Sequence, residues 1–183
     1  MKLLKLLVLF TALSLLGSFN ASATHVMGSD IQWKCLGGDT FTISITVYRD
    51  CNGIQLSNGA FTLASNCGTM RVTGTMSGGE DITPVCDEQC TRCDSRGCTF
   101  KYGIQKWVLT ATVVLTQWRK NGCCEVTISW GQCCRNNAIT TGAASNNFYV
   151  EAKLNLCQDP CDNSPQFTGD PLAIICLGRD FIY

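Results

Sequence analysis

The residues best equipped for chemistry in this chain are its cysteines. Cys86, Cys90, Cys93 and Cys98 fall within thirteen residues, a spacing that suits a tetrahedral zinc site of four thiolates or a loop knotted by disulfides. Cys90 and Cys93 also make a C-x-x-C, but no βαβ pattern surrounds them, so a thioredoxin-like redox role is disfavoured. The remaining ten are Cys35, Cys51, Cys67, Cys123, Cys124, Cys133, Cys134, Cys157, Cys161 and Cys176, and all fourteen are candidates for structural disulfides. Pairing fourteen cysteines allows about 135,000 connectivities, so the spacing selects none of them. Neighbouring α-carbons across a trans peptide lie about 3.8 Å apart, below the usual disulfide range, so Cys123-Cys124 and Cys133-Cys134 are each expected to bond outward.

Other chemistry has few carriers. His25 is the only histidine, which leaves a Ser-His-Asp or Cys-His arrangement one candidate base at the start of the exported chain. Asp50, Glu80, Asp81, Glu125 and Glu151 carry no motif that singles out a carboxylate pair. Gly37-Gly38 and Gly78-Gly79 read as turns between strand-like segments and not as phosphate loops before a helix. Asp159, Asp162, Asn163 and Asp170 offer oxygen ligands of the kind calcium takes, yet match no twelve-residue calcium loop, so solvated turns are the first reading and a calcium ion the second. No catalytic residue, cofactor-binding residue or metal ligand is assigned. Fourteen basic side chains balance fourteen acidic ones, which excludes the strong positive field of a nucleic-acid binder.

The N-terminus decides between zinc and disulfides. Lys2 and Lys5 precede an apolar run from Leu6 to Leu16, and Ala21-Ser22-Ala23 follows. This is the pattern of a secretory signal peptide, with cleavage expected after Ala23. The apolar run is shorter than the roughly 20 residues needed to span a bilayer, and no later segment approaches that length, so no transmembrane segment is expected after cleavage. Export carries the thiols into an oxidising compartment, which favours disulfides over a metal knuckle. Residues 24–183 are expected to form one disulfide-rich domain, secreted or held at the cell surface.

The elements that position these cysteines read as strands. Asp30 to Cys35 and Phe41 to Tyr48 alternate apolar with polar residues, with Gly37-Gly38-Asp39 as a hairpin turn between them. Arg49-Asp50-Cys51-Asn52-Gly53 closes the second strand, and a weaker strand is expected near Thr69 to Thr75. Lys106 to Leu115 is rich in valine and threonine, which suit a pleated surface better than a helix. Asn121-Gly122 reads as a tight hairpin turn into Cys124 to Trp130, and Phe148 to Leu156 alternates in the same way. On this parity Cys35 faces the core with Ile31 and Trp33, and Cys124 faces it with Val126 and Ile128. No amphipathic helix is evident. The expected fold is all-β, an antiparallel immunoglobulin-like sandwich rich in disulfides. Trp33, Trp107, Trp118 and Trp130 lie in or beside strands, so core packing is their first reading. Trp118 and Tyr102 are the candidates for an exposed glycan-stacking surface.

Several longer strings carry a resemblance. HVMGSDIQWKCLGGDTFTISITVYRDCNG, ITPVCDEQCTRC, CCRNNAITTG, NNFYVEAKLN and NSPQFTGDPLAIICLG are similar to the N-terminal region of large exported surface proteins of gliding bacteria of the Bacteroidota. The most specific parts are Tyr48 to Gly53, Cys133-Cys134-Arg135-Asn136 and Asn163-Ser164-Pro165-Gln166-Phe167. The resemblance implies a module that precedes PKD-like or immunoglobulin-like repeats and a gliding-motility-associated sorting domain used in type IX secretion. It implies a non-enzymatic structural or adhesive role, with other domains of the same protein, extracellular matrix or glycan as partners. The chain departs from that pattern by stopping at Tyr183, soon after the apolar, strand-like Leu172 to Cys176. The alternative is a carbohydrate-binding module of an extracellular protein.

Overall fold

A computed structural model describes residues 26–83, 91, 93, 102–136, 138–142, 146–167 and 169–170. The predicted signal peptide, His25, Cys86, Cys90, Cys98, Cys176 and the expected strand at Leu172 to Cys176 lie outside these residues. Seven strands and one short helix follow in order: β1 (Val26–Gly37), β2 (Thr40–Asp50), β3 (Gly59–Ser65), β4 (Gly68–Asp81), β5 (Ile104–Val114), α1 (Thr116–Lys120), β6 (Glu125–Gln132) and β7 (Phe148–Asn155). All strand pairs are antiparallel, and they make one sheet in the order β1-β2-β5-β4-β3-β6-β7.

The sheet is held together by the long strand β4. Its first half, Gly68 to Gly74, pairs with β3, and its second half, Thr75 to Asp81, pairs with β5. The two halves of the sheet thereby share one core. Phe41, Ile43, Ile45 and Val47 of β2 alternate with threonine and serine and are fully buried, and they meet Phe61 and Leu63 of β3, Val126 and Ile128 of β6, and Leu154 of β7. This period-two pattern is what placed β1, β2, β6 and β7 from the sequence. At roughly 1.5–3 kcal/mol per fully buried large apolar side chain, this shared cluster is the main driving force for the fold.

The β1–β2 turn is as expected. Gly38 and Asp39 both take positive φ, 58° and 59°, and Gly37 pairs with Thr40 across them. Positive φ at both central residues matches the right-handed twist of the flanking strands.

Three expectations are corrected, and one strand was missed. Asn121-Gly122 does not turn a hairpin, because β5 pairs with β2 and β4 while β6 pairs with β3 and β7. The intervening chain crosses between the sheet halves, forms α1 and docks on the β1–β2 turn: Leu115 N–H donates to the Asp39 carbonyl at 2.9 Å and Thr116 Oγ1 donates to the Gly38 carbonyl at 3.2 Å. Gly78-Gly79 lies inside β4 as an irregularity in the pairing with β5, not in a turn. Gly78 has φ 123°, and a Cβ there would stand 2.6 Å from the Lys106 carbonyl oxygen, so only glycine fits. Cys123, not Cys124, is the buried member of its pair, since β6 begins only at Glu125 and the strand parity does not reach back to Cys124. Strand β3 was not foreseen, because its alternation is diluted by Gly59, Ala60 and Ala64.

Candidate functional site

Two of the three motifs that stood out in the sequence line the outer edge of β1, and the third, Tyr48 to Gly53, is bonded to one of them. Val26 N–H donates to the Cys134 carbonyl and Asn136 N–H donates to the Val26 carbonyl, each at 3.1 Å. Seven residues on, Trp33 N–H donates to Ser164 Oγ at 2.9 Å, Ser164 N–H donates to the Trp33 carbonyl at 3.1 Å, and Cys35 N–H donates to Asn163 Oδ1 at 2.8 Å. An edge strand's unpaired amides invite pairing with other chains. Here segments following β6 and β7 occupy them, and β1 and β7 come into contact, so the sheet is nearly closed.

The end of β2 is tied to the same seam by a buried polar knot. Arg49, 6% exposed, donates from Nε to the Ile54 carbonyl at 2.6 Å, from Nη2 to the Gly53 carbonyl and from Nη1 to Gln105 Oε1. Burial pulls its guanidinium below the ordinary arginine value, while the neighbouring Asp50 acts in the opposite direction. Asp50 is 2% exposed; its Oδ2 accepts Asn136 Nδ2 at 2.6 Å and its Oδ1 accepts Asn52 N–H at 3.0 Å. Asn136 Oδ1 in turn accepts Ala138 N–H. Both motifs are therefore halves of one hydrogen-bond network, as buried polar groups require.

Five bridges join described cysteines: Cys35–Cys161, Cys51–Cys93, Cys67–Cys123, Cys124–Cys157 and Cys133–Cys134, and none of the described cysteines is free. Cys35–Cys161 spans 126 positions and locks the seam beside Asn163 and Ser164. Cys133–Cys134 overturns the expectation that adjacent cysteines bond outward. That expectation assumed a trans peptide, whereas the Cys133-Cys134 bond is cis and its α-carbons are 3.0 Å apart. Cys123 and Cys124 do bond outward, to Cys67 and Cys157.

Cys93 leaves its C-x-x-C to pair with Cys51, so that motif is neither a self-contained redox pair nor a four-thiolate knuckle. The bridge sits against Gly103, where a Cβ would stand 2.6 Å from Cys93 Sγ. Asp81 anchors the region: its Oδ2 accepts Thr91 Oγ1 at 3.1 Å, its Oδ1 accepts Thr83 N–H at 3.0 Å, and Thr83 Oγ1 accepts Ile104 N–H at 2.7 Å. Cys51, Asp81 and Cys93 form a convergent group of the size a metal would need, but both sulfurs are committed to the disulfide and supply no thiolate.

The calcium candidates are dispersed. Asp159 Oδ1 accepts Cys161 N–H at 3.5 Å, Asn163 holds β1, and Asp170 pairs with Lys106 at 2.6 Å. Of the stacking candidates, Trp118 is half-buried against the core. Tyr102 is half-buried beside Gly103.

An open polar cavity lies on the outer face of β1, β2 and β5, and sequence patterning missed it. Asp30, Gln32, Thr46, Tyr48 and Lys106 share the solvent-facing parity of their strands, and the segment bearing Phe167 and Asp170 passes over them, enclosing about 220 Å³. Tyr48 Oη donates to Asp30 Oδ2 at 3.3 Å and Gln32 Nε2 donates to Asp30 Oδ1 at 3.2 Å. Burial pushes the Asp30 carboxyl above its ordinary value, and burial together with Asp30 pushes the Tyr48 phenol up to about 12.

Together these features define a disulfide-tied, all-antiparallel β module whose conspicuous motifs close its own sheet. No family model, curated protein or solved structure matches the chain. Among the described residues, no helix is long and apolar enough to cross a membrane.

Proposed function

We propose that this chain is a non-enzymatic structural and adhesive module of an exported or cell-surface protein, the N-terminal domain of a gliding-motility-associated surface protein of the kind its motifs resemble. The observation that carries this reading is the seam. Tyr48 to Gly53, Cys133 to Asn136 and Asn163 to Ser164 contribute hydrogen bonds that fasten β1 and β2, and the Cys35–Cys161 and Cys51–Cys93 bridges lie beside them, which accounts for motif residues without invoking catalysis. The buried acids are likewise held by protein donors: Asp50 by Asn136 and Asn52, Asp39 by Arg119. A chain fastened by disulfides across such separations suits an oxidising, extracellular setting. Two sheet halves packed on one core also favour the immunoglobulin-like sandwich as the fold comparison to pursue.

The test is to fractionate the native cells and alkylate the protein before and after reduction. A surface or extracellular location with cysteines that react only after reduction is the expected result. A cytosolic location, or a majority of free thiols in the exported protein, overturns the proposal.

A further inference from the structure

The outer-face cavity differs from the other polar clusters because its side chains are not consumed in closing the sheet. Among the described residues, Asp30 receives two long hydrogen bonds, from Tyr48 and Gln32, together with a hydroxyl contact from Thr46. Lys106, the cation that lines the cavity among the described residues, is drawn to Asp170 at 2.6 Å. A carboxylate has about four acceptor positions, so Asp30 keeps capacity for donors brought by a ligand. At the mouth stands Phe167, 70% exposed and the most exposed large apolar side chain among the described residues. An adjoining apolar space of about 280 Å³ shares Asp30, Tyr48 and Phe167 with it and is continued by Gly28 and Ser29.

The chemistry narrows the ligand. Asp170 neutralises Lys106 and the lining keeps the negative charge of Asp30, so an anion is repelled and the recognition chemistry falls to groups that donate hydrogen bonds to that carboxylate. A neutral ligand with several hydroxyls supplies donors to Asp30, both donors and acceptors to Gln32 and Thr46, and a C–H face to Phe167. The space is below the roughly 300–1,000 Å³ of pockets for larger ligands, so it accommodates one ring at a time.

We propose that this cavity binds one pyranose ring of a neutral glycan, with Asp30 and Gln32 holding its hydroxyls and Phe167 covering its apolar face. This deepens the adhesive reading above and rests on it for the glycan's setting, while the binding chemistry stands on the cavity alone.

The experiment is a two-dimensional amide NMR titration of the oxidised protein with methyl α-mannoside, methyl β-glucoside, methyl β-galactoside and N-acetylglucosamine. At least one is expected to shift the amides of Asp30, Gln32 and Thr46, with a dissociation constant on the order of 1 mM for so small a ligand. Phe167→Ala removes an exposed ring and leaves the core untouched; it is expected to weaken binding about tenfold. Asp30→Asn keeps the shape and is expected to weaken it by about tenfold or more, as for a hydrogen bond to a charged group. Tyr149→Ala, an exposed aromatic on β7, is expected to leave binding unchanged. A folded spectrum in which none of the four sugars moves the cavity amides overturns the proposal, and so does binding that survives both cavity variants. Because the cysteine alkylation test reads export and oxidation alone, a protein that passes it and ignores all four sugars loses the cavity assignment and keeps the structural one.

Discussion

Asn136 donates its side-chain amide to Asp50 across 86 positions of sequence, at 2.6 Å and inside a region closed to water. The bond couples the end of β2 to the segment that pairs with Val26, so it joins the sheet edge to a central strand. Removing the donor leaves a buried carboxylate with Asn52 as its remaining partner. Asn136→Ala is expected to lower unfolding free energy by about 3 kcal/mol, the magnitude for stranding a buried charged group. Urea denaturation of the oxidised protein measures this. A loss below about 1 kcal/mol would show that the seam does not depend on the bond.

Arg119 of α1 reaches Asp39 at 2.5 Å, and Asp39 is 4% exposed at the tip of the β1–β2 turn. The guanidinium is partly in solvent, which weakens the ion pair, but its loss leaves a buried acid without its cation. Arg119→Ala is expected to cost about 1–2 kcal/mol in chemical denaturation. Arg119→Lys should recover only part, since lysine presents a point charge where arginine presents a fork.

The bridges should differ in weight by loop length. Cys35–Cys161 separates its partners by 126 positions and Cys124–Cys157 by 33. On the chain-entropy account, closing the longer loop restricts the unfolded state more, and each bridge contributes typically about 2–4 kcal/mol. The Cys35→Ser/Cys161→Ser double variant is therefore expected to melt at a lower temperature than Cys124→Ser/Cys157→Ser. Differential scanning calorimetry on both gives the ranking, and the reverse order would show that local packing outweighs loop entropy.

Buried Tyr48 resists ionisation. Its phenol lies near 12 against an ordinary 10.0, through burial first and the neighbouring Asp30 carboxylate second. Because the folded value is raised, the stability this group contributes is fully present below pH 10 and is lost as pH rises through about 12. In an ultraviolet titration of tyrosinate, Tyr48→Phe is expected to delete a step near pH 12. Deletion of a step near the ordinary value of 10.0 instead would place the Tyr48 phenol in water.

Gly78 should tolerate no side chain. A Cβ at 2.6 Å from the Lys106 carbonyl oxygen meets rigid backbone, and the φ of 123° adds strain for any L-residue. Gly78→Ala is expected to destabilise by at least about 1–3 kcal/mol and to loosen the β4–β5 pairing. Hydrogen exchange at Leu109 and Thr110, which pair with Met76 and Thr75, reports that loosening directly.

The sequence by itself determined much of the secondary structure. In β1, β2, β6 and β7 apolar and polar residues alternate, and alternation is a local property that a pleated strand requires wherever one face is buried, while β5 was legible from its valine and threonine content. The β1–β2 turn was legible for the same reason, since Gly38 and Asp39 are residue types that accept positive φ. The single turn of α1 was not, because five residues are too few for a helical period to show.

Only the tertiary structure decided what meets what. Cys93 pairs with Cys51 and not with Cys90, Asn136 finds Asp50, and Ser164 finds Trp33, because the sheet order brings those positions together and nothing in their immediate neighbours encodes it. The cavity under Phe167 has the same origin. Asp30, Gln32, Thr46, Tyr48 and Lys106 each read locally as the polar side of a strand, and become a site only when β1, β2 and β5 lie side by side and the chain after β7 passes over them. Local chemistry chooses a strand and its faces; long-range packing chooses the neighbours, and for this chain the neighbours are where the functional argument lies.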